Sequence, residues 1–191
     1  MAMSTSTPSY LKHQFLIAMP HMSDPRFVHT LIYLCDHNEE GAMGLVVNQP
    51  SGLSLGDILD QLAPELEVPA TCASQVIYSG GPVQPERGFV LHRGDGQWES
   101  TLDLGPIQLT TSRDILIDMA RGHGPDTAVI ALGYAGWGAG QLDQELIDNV
   151  WLNCPADLSI LFDLPCEQRL SAAARSLGID LNLLTSQAGH A

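Results

Sequence analysis

The chain has 191 residues, 45% of them hydrophobic, and a formal charge of −14 from 22 acidic against 8 basic side chains. That length buries one substantial core, while a single lysine, Lys12, leaves no cationic cluster to line a phosphate backbone, so direct binding to DNA or RNA is disfavoured. The same charge opposes an anionic membrane surface, and apolar runs such as Thr127 to Ala135 fall well short of the ~20 residues that span a bilayer.

Met1 to Ser9 are mostly small, polar and uncharged, which predicts a loose tail, and one domain is expected from Tyr10 to Ala191. The start lacks the basic end and the apolar stretch of about 7–15 residues of a secretory signal, which places the protein in the cytoplasm. Three β-like runs follow, Gln14 to Met19, Val28 to His37 and Met43 to Asn48, punctuated by Pro20, Pro25 and Gly41, and they read as a meander. Between the first two, Ser23 and Asp24 ahead of Pro25 predict one short turn through Phe27. Leu55, Ile58, Leu59 and Leu62 at helical spacing predict a helix capped by Ser54 and ended before Pro64. Pro64 to Ala70 reads as an exposed connection, leading to strands at Gln75 to Tyr78 and Gly88 to His92 around SGGPVQPE. After the turn RGDGQW, Thr111 or Ser112 is expected to cap a helix from Arg113 to Arg121, stopped by Gly122. Thr127 to Leu132 is a nearly all-apolar strand, the central one, covered on both faces. Gln141 to Trp151 reads as a helix with Leu142, Leu146 and Val150 inward, Ala156 to Phe162 as a returning strand, and Pro165 as the opening of a final helix ended by Gly178. Mixed runs of strands and helices argue an α+β class.

Several constellations carry possible chemistry. Gly133, Gly136, Gly138 and Gly140 lie between a predicted strand and an acidic helix, the setting of a phosphate cradle. Asp143 and Glu145 in the first turn of that helix would repel a phosphate, so a close-packed loop anchored by Trp137 is the expected reading. Cys35 and His37 sit two apart on one strand, about 6.6 Å along the backbone, and alternation puts them on one face. An imidazolium there would lower the thiol's pKa, whereas burial against Leu31 and Tyr33 would leave it inert. Ser79 before two glycines lacks the nucleophile elbow of a serine hydrolase, and the seven histidines form no tight ligand pair. Cys35, Cys72, Cys154 and Cys166 contain no C-x-x-C and read as free thiols. No metal or cofactor is expected. Trp137, Asn149 and Trp151 are expected to anchor the core, with a partner-facing surface as the alternative.

YLCDHN at Tyr33 to Asn38, GLVVN at Gly44 to Asn48, SGGPV at Ser79 to Val83, RGFVLH at Arg87 to His92, TTSRD at Thr110 to Asp114 and the segment Thr127 to Asp157 together resemble the YqgE/AlgH family, nearly end to end. The resemblance implies a bacterial protein linked to transcriptional regulation and a complex α+β fold, with a mostly antiparallel sheet bent into a small barrel and surrounded by helices. The combined reading is a non-enzymatic cytosolic regulatory or binding protein acting through a protein partner or a small ligand. The alternative is a thiol sensor or enzyme using Cys35 with His37. Candidate ligand-binding residues are Asn48, Arg87, Gly136 and Gly138, the first two bordering a groove beside the thiol.

Overall fold

The structure, a computed structural model, describes residues 10–188, so the tail expected at Met1 to Ser9 lies outside the described residues. The predicted meander forms: β1 (Gln14–Ala18), β2 (Leu31–Asn38) and β3 (Gly41–Val46) pair antiparallel, with Phe15 opposite Tyr33 and Tyr33 opposite Leu45. Their side chains alternate between two cores. Phe15, Ile17, Leu31, Tyr33 and Leu45 join the largest buried cluster, while Leu16, Ile32, Leu34 and Val46 join another on the opposite face. Both faces are therefore covered, and neither shows the polar alternation of a half-solvated sheet.

The chain then runs through β4 (Pro50–Ser54) into α1 (Leu55–Leu62), where Ser54 accepts from the Asp57 N–H and Asp57 accepts from the Ser54 N–H, a complete capping box. Next come α2 (Ala70–Ala73), β5 (Val76–Ser79), β6 (Val83–His92), β7 (Thr101–Asp103), β8 (Gln108–Thr110), α3 (Asp114–Ala120) and β9 (Ala128–Gly138). Last are α4 (Gln141–Ile147), β10 (Trp151–Pro155), α5 (Leu158–Asp163), α6 (Cys166–Ser176) and α7 (Leu181–Ala188). The sheet order is β10-β1-β2-β3-β9-β6-β8-β7, with β5 parallel to β9 and β4 paired to β5. It curls into an antiparallel half-barrel among the helices, so the α+β class and the bent sheet are as expected. β9 is the central strand: β6 and β5 flank its first part, and β3 pairs with its last.

The glycine-rich stretch is where sequence and structure part. Instead of a turn, Gly133, Gly136 and Gly138 continue β9, with Gly136 opposite Met43 and Gly138 opposite Gly41. Only Gly140, at φ +72, breaks the strand to start α4. Gly133 has a separate reason: at φ +76 it lies under the Ser79–Gly81 crossing, and an added Cβ would stand 2.4 Å from the Gly81 carbonyl oxygen. A phosphate cradle at this stretch is thereby removed, because Gly136 and Gly138 are extended strand residues paired with β3 and the Gly138 N–H already donates to a side chain, Gln141 Oε1.

Other expectations need correction. Trp151 opens β10 rather than closing a helix, since α4 ends at Ile147 and Asn149 turns the chain at φ +57. The strand expected at Ala156 to Phe162 is α5, started by the Asp157 carboxylate accepting from the Ser159 N–H. Neither Thr111 nor Ser112 caps α3; Ser112 Oγ donates to Asp114 Oδ1 at 2.5 Å and accepts from the Ser100 N–H, fastening the strand side of the joint. Gly178 ends α6 at φ +74 as expected, yet α7 follows it. Trp137 and Trp151 meet edge to face at 5.9 Å in the core, while Asn149 stays exposed.

Candidate functional site

Alternation along β6 sends Arg87 and Phe89 to the same side of the sheet, and β9 lays Tyr134 beside them. Phe89 and Tyr134 pack edge to face at 5.8 Å, and the Arg87 guanidinium sits 5.3 Å above the Phe89 ring, its Nη1 donating to Gln84 Oε1 at 3.3 Å. These groups form one wall of a cavity of about 1040 Å³ on the face that carries the largest core cluster. Met43, Phe89, Leu109 and Tyr134 make its apolar floor; Lys12, Arg87, Asp36, Glu40 and Asp103 give a mouth of both signs. Gly136 lines it too, and a Cβ there would meet only the Tyr134 ring at 3.5 Å and Val83 at 4.0 Å, so the absent side chain leaves room in the cavity rather than avoiding a clash. The volume is at the upper end of the ~300–1,000 Å³ usual for small-molecule sites.

Cys35 borders this cavity, but His37 does not. A bulge between Leu34 and Asp36 inserts Cys35 as an extra residue, which resets the alternation. Cys35 therefore packs with the floor side, its Sγ donating to the Tyr33 carbonyl at 3.8 Å, and burial, with the Asp36 charge adding to it, pushes the thiol up. His37 is buried on the other side: Nδ1 accepts from the Leu11 N–H at 2.9 Å, Tyr10 meets the ring edge-on, and Nε2 lies 3.2 Å from Asp143 Oδ1 without hydrogen-bond alignment. The shared face that alternation predicts does not form. An imidazole whose Nδ1 already accepts a backbone proton and whose other nitrogen faces Asp143 has no route to the thiol.

The remaining candidates separate in the same way. Arg87 and Gly136 join Cys35 around the cavity. Asn48 instead ties two strand ends, accepting from the Leu31 N–H and donating to the His29 carbonyl, both at 2.9 Å. Gly138 donates its N–H to Gln141 Oε1 at 3.0 Å at the start of α4. Ser79 lies on a different cavity, of about 520 Å³, with Gln49 and Pro82 and no histidine among its described lining residues. Among the residues that sequence reasoning left out are Lys12, His13 and Asp103, brought in by the curl of the sheet; the period-two spacing of Arg87 and Phe89 is a local signal of the wall that the expected strand start at Gly88 hid.

Among the described residues no three His, Cys, Asp or Glu side chains come together to hold a metal ion, and no helix is long and apolar enough to cross a membrane. The fold and cavity define a cavity-bearing α+β protein built on one curled sheet. The chain belongs to the AlgH-like family, whose model, described as DUF179, matches residues 15–182. It is 61% identical over 189 residues to a UPF0301 protein of Stutzerimonas stutzeri, covering 99% of this chain and all of that one. The UPF0301 protein AlgH of Pseudomonas aeruginosa PAO1 is 60% identical with the same coverage. The solution structure of AlgH from P. aeruginosa superposes with a TM-score of 0.80 at 60% identity, covering 99% of this chain and 100% of that chain. A crystal structure of DIP2367 from Corynebacterium diphtheriae shares the fold at a TM-score of 0.68 and 20% identity over 90% of both chains.

Proposed function

We propose that the protein is a non-enzymatic cytosolic binding protein of a regulatory kind, which takes a small amphipathic ligand into the cavity of its curled sheet and acts through protein contacts. The observation that carries this reading is the cavity itself: about 1040 Å³, floored by an aromatic pair, with an arginine at its mouth that makes no ion pair among the described residues. The separation of Cys35 from His37 favours binding over thiol chemistry, because a nucleophilic thiol needs a base within reach. The charge of −14 favours protein or metabolite contacts over an operator sequence.

Methyl NMR of the full chain against a library of cell metabolites tests it. The expected result is a binder that shifts the Met43, Leu102 and Leu109 methyls, with no salt-sensitive mobility shift on DNA. Tight salt-dependent DNA binding, or binders that leave these methyls unmoved, would overturn the reading.

A further inference from the structure

A second, smaller cavity adjoins the first. It holds about 260 Å³ between α1, α3 and the sheet, and its walls are branched aliphatics: Ile58, Ile77, Val90, Leu116, Ile130 and Leu132. Its mouth is different in character. Arg87 and Arg113 stand there with Thr111 and a single acid, Glu86, and Arg87 and Thr111 border both cavities. In a chain with 22 acidic side chains, neither arginine has a carboxylate within ion-pair distance among the described residues. Among the described residues Arg87 is steadied by Gln84 and the Phe89 ring.

We propose that this smaller cavity binds a short branched aliphatic carboxylic acid, with the carboxylate on Arg87 and Arg113 and the hydrocarbon end among the aliphatic side chains. The reading extends the small-ligand function above to a defined chemical class and a defined place. Volume sets the size: at about 30 Å³ per water-sized group, 260 Å³ takes some eight or nine non-hydrogen atoms, the size of a six-carbon acid. The planar guanidinium fork matches a carboxylate edge-on in two hydrogen bonds. Glu86 at the mouth opposes the double charge of a phosphate dianion more than the single charge of a carboxylate. A cation would meet two arginines against one acid. Thr110 and Ser112 also line the space, but their hydroxyls are already bonded, to His92 and Thr101 and to Ser100 and Asp114, so an apolar tail takes no partner from them.

The test is titration of 4-methylpentanoate into the methyl-labelled full-length protein. Saturable shifts are expected at Leu116, Ile130 and Leu132, with Arg87→Gln and the neutral amide 4-methylpentanamide each binding about tenfold or more weakly, as loss of a charged hydrogen bond implies. Arg87 is exposed, so its variant is expected to keep the wild-type methyl spectrum away from the mouth. Equal affinity for acid and amide would overturn the proposal, as would no saturation by about 10 mM, a range where even fragment-sized ligands register. Shifts confined to Met43, Leu102 and Leu109 would overturn it while leaving the larger cavity's role standing. No shift in either cavity would overturn this proposal and leave the larger cavity's reading to the metabolite library.

Discussion

Two glycines three residues apart on β9 provide a sharp test of the fold, because the structure gives them opposite reasons to be glycine. At Gly133 the backbone is at φ +76, which costs an L-residue roughly 1–2 kcal/mol. A Cβ there also stands 2.4 Å from the Gly81 oxygen and 3.1 Å from Pro85 Cα, both rigid backbone atoms. Relieving that overlap adds roughly 1–3 kcal/mol by the usual cost of overpacking, so Gly133→Ala is expected to lose about 2–5 kcal/mol in all. At Gly136 the Cβ meets the Tyr134 ring at 3.5 Å, an ordinary contact, and no positive φ is imposed. Gly136→Ala there removes the backbone entropy that glycine loses on folding, about 0.5–1 kcal/mol, and is expected to be neutral or stabilising. Urea unfolding with both midpoint and slope compared against wild type is the assay. If Gly136→Ala costs as much as Gly133→Ala, or if Gly133→Ala is neutral, the assignment of this stretch to a strand crossed by the Ser79–Gly81 segment is wrong.

His92 is fully buried, its Nε2 2.7 Å from Thr110 Oγ1, and burial lowers its pKa below the ordinary 6.5. The unfolded chain therefore takes up this proton first as pH falls, so stability is expected to decline from about pH 6.5 downward, and His92→Gln to flatten that decline in pH-dependent urea melts. Arg169 is buried, donates to the Val47 and Leu164 carbonyls and lies over the Tyr78 ring. Replacing it by Met keeps the aliphatic stem but leaves two acceptors unmade, an expected loss of about 2–4 kcal/mol by chemical denaturation. Cys35, with its thiol pushed up, is expected to alkylate at least about tenfold more slowly near neutral pH than the same cysteine in urea, and only a rate above that of the unfolded chain would restore the thiol reading.

Local signals carried the parts of this molecule that depend on local physics. Ser54 and the helical spacing of Leu55, Ile58, Leu59 and Leu62 announced α1, and the apolar runs bounded by proline and glycine announced the first three strands. What sequence could not show came from pairing at long range. Gly136 and Gly138 look like a loop until β3 supplies the partner that holds them extended, and the bulge that turns Cys35 away from His37 exists only in the register of β2 against β3. The apolar run after Asp157 is too short for periodicity to tell helix from strand, and the Asp157 cap decides it. The cavity followed the same rule: Arg87 was named as a groove residue, but its place beside Phe89 shows only once β6 starts at Val83 rather than Gly88, and Lys12 and Asp103 reach the cavity only because the sheet curls.

The cavity's role is tested most directly by equilibrium dialysis of the full-length protein against a cytosolic metabolite extract, with mass spectrometry of what is retained, in parallel with Gly136→Leu. That side chain grows from a position lining the cavity where a Cβ makes only ordinary contacts, so the variant is expected to fold as the wild type does and to obstruct the site beside Tyr134. The account predicts at least one small metabolite enriched by the wild type and lost by the variant at unchanged thermal stability. Equal retention by both proteins, or enrichment by neither, would contradict it.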